Sequence, residues 1–114
     1  MEQLIEIRTY ALKAGTGAHF ARVMREQSLP LLRAAGTEVV TARPSLHSED
    51  AYVLMRAYQS GAQRELSQQA FYGSAAWQLG PREAVMACID SYATVVLPAD
   101  PALLASLRAS ASAP

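Results

Sequence analysis

This sequence predicts an α+β fold in which helices pack against one antiparallel sheet. Three observations lead to it. Strand-like runs alternate with helical stretches in the order β-α-β-β-α-β. The joints between them carry glycine, proline and capping residues where chain reversals need them. The chain has 114 residues, 51% of them hydrophobic, which suits one folded core and leaves no room for a second.

The first strand is expected from Leu4 to Leu12. Strands alternate faces, so Ile5, Ile7, Thr9 and Ala11 share one side, and Leu4, Glu6, Arg8 and Tyr10 share the other. The second side sets a carboxylate, a guanidinium and a phenol in a row. A half-exposed strand would leave Glu6 and Arg8 in water, whereas a strand lining a polar pocket would use them. Lys13 to Gly17 supplies a turn, with Thr16 as a cap. Phe20, Val23, Met24, Gln27 and Leu31 then follow a helical period. Pro30 is expected to push Leu29 out of helical geometry, so that the helix kinks or restarts near Ser28 before Gly36 ends it.

Thr37 to Arg43 is β-branched and stopped by Pro44, giving a second strand. Ala51 to Tyr58 is the third. Its Val53, Met55 and Ala57 oppose Tyr52, Leu54, Arg56 and Tyr58, and the latter set repeats the aromatic-plus-arginine character of the first strand. Ser60-Gly61-Ala62-Gln63 reads as a capping box opening a helix to Phe71, closed by Gly73. A short link around Trp77 leads to a helix from Pro81 to Cys88 and a last strand from Tyr92 to Leu97. Residues 1–98 form the domain. Residues 99–114 are an Ala/Ser/Pro-rich tail in which Leu103, Leu104 and Leu107 offer one amphipathic turn before an end expected to be disordered.

That element order is ferredoxin-like, a four-stranded antiparallel sheet with both helical segments on one face. No further layer is expected on the other face, which would expose roughly 400 Å², comparable with the largest patch a monomer tolerates, ~300–600 Å². Pairing two such faces gives a homodimer.

Composition removes several functional classes. Lys and Arg balance Asp and Glu to zero net charge, and no basic stripe is interleaved with aromatics, so nucleic acid is not an expected partner. No apolar run reaches the ~18–20 residues of a bilayer span, and no leader-like segment opens the chain, so the expected compartment is the cytoplasm without a membrane partner. The single Cys88 lies among apolar residues and reads as an inert buried thiol. His19 and His47 are too far apart to suggest ligand spacing, so neither a metal nor a cofactor is expected.

The run from Glu6 to Gly15, EIRTYALKAG, resembles the signature strand and turn of NIPSNAP domains. Leu29-Pro30-Leu31 before Gly36, the strand ending Met55-Arg56-Ala57-Tyr58, and Trp77 before the last helix agree with it. Gly80-Pro81 departs from a region that is more continuously helical in that family. The resemblance implies a subunit that pairs into a dimeric α+β barrel, a superfamily that includes antibiotic-biosynthesis-type monooxygenases. It implies no particular reaction. Arg8 and Tyr10 share a face and occupy the most specific positions of the motif, so they lead the candidate ligand-binding residues, with Arg56, Tyr58 and Trp77 beside them. The catalytic residues are not assigned. The expected function is small-molecule binding by a homodimer, for an apolar or anionic ligand. The alternative is a cofactor-independent monooxygenase- or isomerase-like enzyme acting on an apolar or aromatic substrate.

Overall fold

A computed structural model describes residues 3–112. Its sheet consists of β1 (Leu4–Leu12), β2 (Glu38–Pro44), β3 (Ala51–Tyr58) and β4 (Ile89–Pro98) in the spatial order β2-β3-β1-β4, with every neighbouring pair antiparallel. The α+β architecture and the four-stranded antiparallel sheet read from the sequence are therefore present. Five helices lie on one face: α1 (Gly17–Val23), α2 (Leu29–Ala34), α3 (Gly61–Tyr72), α4 (Ala75–Gln78) and α5 (Arg82–Cys88). The main core joins Tyr10, Leu12, Tyr52 and Leu54 of the sheet to Phe20, Met24 and Leu32 of the first helical segment and to Phe71, Trp77 and Val85 of the second.

The capping box read at Ser60 is present, whereas Thr16, expected as a cap, makes no side-chain cap bond at the start of α1 and donates its hydroxyl to the Lys13 carbonyl at 2.7 Å instead. The Ser60 hydroxyl accepts from the Gln63 amide, and the Gln63 side chain accepts from the Gln59 amide, which fixes the start of α3. Gly36 takes a φ of 90° to end α2, a conformation that favours glycine. Pro30 follows expectation only in part. Leu29 keeps helical angles (φ −64°, ψ −42°); the chain passes through one π-helical turn, Met24–Ser28, and α2 restarts at Leu29, with Ser28 at its N-cap position but without a side-chain cap bond. Proline lacks an N–H and crowds the carbonyl four residues back. The wider turn, in which the Leu29 amide donates to the Met24 carbonyl, relieves both problems. It also rotates the inward face by one residue, so Ser28, Leu29 and Leu32 are buried while Gln27 is exposed.

The opposite face of the sheet is not bare. The expected single turn near Leu104 is part of a twelve-residue helix, α6 (Pro101–Ser112), so the chain is helical as far as the described residues extend. Leu104 is fully buried against Ile5, Val40, Ala57 and Ala99, and Leu107 flanks them. A β-bulge between Val39 and Thr41 turns Val40 into this cluster. Arg108 forks onto Glu38 at the sheet edge, through Nε to Oε2 at 2.5 Å and Nη2 to Oε1 at 2.8 Å. The missing third layer is thus partly supplied by the chain itself. The face remains open toward β4, where Val95 and Leu97 are exposed.

Candidate functional site

Glu6 organises the site. Antiparallel register sets it directly across from Arg56, and both side chains are completely buried. Arg56 donates to Glu6 Oε1 through Nε at 3.0 Å and also through Nη2. The second carboxylate oxygen accepts from Arg64 Nε at 2.6 Å and from the Gln68 amide at 2.5 Å. Arg64, Gln68 and Tyr72 recur every fourth residue, so α3 lines all three along the face it turns to the sheet. Tyr72 continues the network, its Oη accepting from Arg56 Nη1 at 2.9 Å and from Arg8 Nη1 at 3.3 Å. Arg8 Nε donates to Thr94 Oγ1 at 3.1 Å, and Arg8 Nη2 lies 3.8 Å from Glu6 Oε2.

Of the two readings of this strand face, the one that leaves Glu6 and Arg8 in water does not hold. The polar side of β1 is the side that the helices cover, and Arg8 is only 13% exposed. Burial alone would push the Glu6 carboxyl up. The Arg56 guanidinium, helped by the hydrogen bonds from Arg56 and Gln68 and by Arg8, outweighs that and holds it below the ordinary carboxylate value. Three guanidiniums, of Arg8, Arg56 and Arg64, nevertheless face this one carboxylate. The cluster keeps an excess of positive charge.

That excess borders a cleft of about 370 Å³ between β1, β4 and helices α3 to α5. Arg8, Tyr10, Gln68 and Tyr72 line it, with Trp77, Val85, Met86 and Ile89 adding apolar surface. Arg82, Gln78 and Tyr92 complete the lining, which contains no Asp or Glu. Aromatic rings dominate its shape. The Tyr72 and Trp77 centroids are 5.4 Å apart with nearly perpendicular planes, and Arg8 stacks over the Tyr92 ring at 5.2 Å. Burial raises the Tyr10 phenol to about 12, so it keeps its proton at neutral pH and offers the cleft a donor.

The structure separates the candidate residues into two groups. Arg8, Tyr10 and Trp77 line the cleft. Arg56 and Tyr58 do not; Arg56 lies beneath Tyr72, and Tyr58, 3% exposed, is hydrogen-bonded to Gln68 at 3.2 Å. Sequence reasoning did not single out Arg64, Gln68, Tyr72, Arg82 or Tyr92 for the cleft. The fourfold spacing of Arg64, Gln68 and Tyr72 was the available signal, since a helix with so polar an inward face must meet polar partners. His19 and His47 are both exposed, and Cys88 is buried, as its apolar surroundings suggested.

No protein-family profile and no curated protein sequence matches the chain significantly. Solved structures do. A NIPSNAP family protein from Agrobacterium tumefaciens superposes with a TM-score of 0.79 at 15% identity, covering 88% of both chains. An uncharacterized NIPSNAP domain protein from Burkholderia xenovorans gives 0.76 at 17% identity, over 86% of this chain and 95% of its own. A candidate antibiotic biosynthesis monooxygenase from Nitrosomonas europaea gives 0.65 at 14% identity, over 86% and 90%. At these identities the likeness concerns the fold: this chain has the fold of the NIPSNAP family proteins, as its opening motif led us to expect.

Proposed function

We propose that the cleft binds a small anionic molecule with an aromatic or apolar body, and that the protein does so as a homodimer, with no reaction assigned to it. The charge imbalance carries this view. Three guanidiniums share one buried carboxylate, and the one that opens on the cleft, Arg8, meets no acidic side chain there. Charges taken out of water need compensation. A ligand carboxylate beside Arg8 would supply it, while Trp77, Tyr92 and Met86 would receive the ring.

An aromatic carboxylate such as 2-naphthoate is the natural probe. Replacing Arg8 with Met keeps most of the volume and removes the fork of donors. Arg56, Arg64 and Gln68 still satisfy Glu6, so the melting temperature should barely move. Calorimetric titration should show 2-naphthoate affinity falling by ~1.5–3 kcal/mol, the loss of a charged hydrogen bond. Undiminished binding by the variant, or no binding by the parent protein, would refute an Arg8-anchored anion site.

Sheet-face pairing has its own support. On the open face, Ile7 stands between Met55 and Val95, and Thr9 between Val53 and Ala93; Ile7 and Met55 pack against the Leu104 cluster, while Thr9, Ala93 and Val95 stay exposed. Val95 is 52% exposed and Leu97 43%. Burying this apolar strip against a second copy favours association. Light scattering at micromolar concentration should report twice the chain mass, and a persistent monomer would end the proposal. A cofactor-independent enzyme is the alternative reading of the same cleft. Fold likeness to a candidate monooxygenase supplies no chemistry for it.

A further inference from the structure

We propose that Tyr72 is the specificity-determining residue of the cleft, donating its hydroxyl proton to the same ligand oxygen that Arg8 holds. The ligand class is thereby narrowed to planar aromatic carboxylates. The inference rests on the anion-binding reading above and deepens it. It begins with the direction of one proton. Tyr72 Oη accepts from Arg56 Nη1 at 2.9 Å and from Arg8 Nη1 at 3.3 Å. A guanidinium has donors and no acceptor, so neither arginine can receive the phenolic proton. Two incoming N–H groups occupy the oxygen's acceptor positions, and its O–H must aim elsewhere. Tyr72 lines the cleft, which is the open space left to it.

The arrangement is rigid. Arg56 is fully buried and locked on Glu6 through two of its nitrogens, so it can serve as a fixed clamp on the Tyr72 oxygen. The Tyr72 ring is held edge-on by Phe71 at 5.0 Å and by Trp77 at 5.4 Å. Arg8 is aligned independently by Thr94 and by stacking on Tyr92. A phenol O–H and a guanidinium on adjacent sides of one opening are preorganised for an acceptor that carries negative charge. A ligand offering only donors would leave the proton unpaired in a half-buried site and be rejected. The surrounding rings favour a flat body over a flexible chain. Arg56 acts here as a positioning residue, working through Tyr72.

Tyr72→Phe removes the proton and keeps the ring. Its binding of 2-naphthoate should weaken by about tenfold or more, while 2-methylnaphthalene, which has the same body and no acceptor, should bind as it does to the parent protein. The comparison with Arg8→Met separates the two proposals. If Arg8→Met weakens 2-naphthoate and Tyr72→Phe leaves it unchanged, the anion site stands and the role of Tyr72 is wrong. If the parent protein binds no 2-naphthoate, the anion-site reading itself fails. Equal weakening of both probes by Tyr72→Phe would show a packing role only and overturn the proposal. Should Tyr72→Phe not fold, Tyr72→3-fluorotyrosine preserves the oxygen and its two incoming bonds while making the O–H a better donor. At a mildly acidic pH that keeps the phenol protonated, it should tighten 2-naphthoate by about two- to threefold and leave 2-methylnaphthalene unchanged; no tightening would refute the donor role.

Discussion

Replacing Glu6 with Gln should lower the unfolding free energy by about 3–5 kcal/mol, the usual consequence of removing one partner from a buried ion pair. Arg56 has no exposed surface and no other carboxylate against it, so its charge would be stranded. Gln retains one carbonyl oxygen for a guanidinium. It also turns an amide donor toward Arg64 or Gln68, where the native side chain presents only acceptors. Chemical denaturation of parent and variant at neutral pH measures the difference directly. A loss under about 1 kcal/mol, typical of exposed pairs, would show that water reaches the cluster.

The same residue predicts acid sensitivity, with a definite sign. Glu6 has a folded-state value below its ordinary 4.5, so folding favours its ionised form. The stabilisation it provides is complete above about pH 4.5 and is lost as the pH falls through the lower folded value. The parent protein should therefore lose more stability below pH 4.5 than the Gln variant, and the two curves should converge in acid. Parallel curves would mean that another carboxylate governs the acid transition.

Much of the fold was legible because local chemistry decides it. The capping box at Ser60 and Gln63, the turn at Gly36 and the alternation in β1 and β3 are set within a few residues, and the structure follows them. What was not legible depends on distant partners. Whether Glu6 and Arg8 stand in water or line a pocket stayed open because Arg64 and Gln68, which bury the carboxylate, are 58 and 62 residues away along the chain. Without them, the apolar row of Ile5 and Ile7 is the more natural face for the main core. The candidate site was half visible for a related reason. Arg8 and Tyr10 share a strand face that period-two reading identifies, whereas Tyr72 and Arg82 reach the cleft from helices whose placement only the tertiary fold fixes. The π-turn at Met24–Ser28 escaped because Pro30 advertises a break, and the alternative of widening the preceding turn has no distinct pattern.

Leu104→Ala carries the other large expected effect, and it tests whether the C-terminal helix belongs to the domain. The side chain is fully buried between α6 and the sheet, against Ile5, Val40 and Ala57. Truncating a buried leucine to alanine costs ~2–5 kcal/mol, from lost transfer energy and from the cavity that remains. Composition argues the other way, since a stretch of Ala, Ser and Pro offers little to bury. One leucine in the right register is enough to dock it, because Val40 is bulged toward the same cluster and Ala57 leaves room. Deleting the residues after Leu107 should behave differently. It removes Arg108 and its half-exposed pairing with Glu38 but leaves Leu104 and Leu107 in place, so the melting temperature should hardly change. Thermal unfolding of the two variants side by side makes the comparison. A silent Leu104→Ala would show that α6 does not hold this face in solution, and the sheet would then offer its whole open side to a second copy.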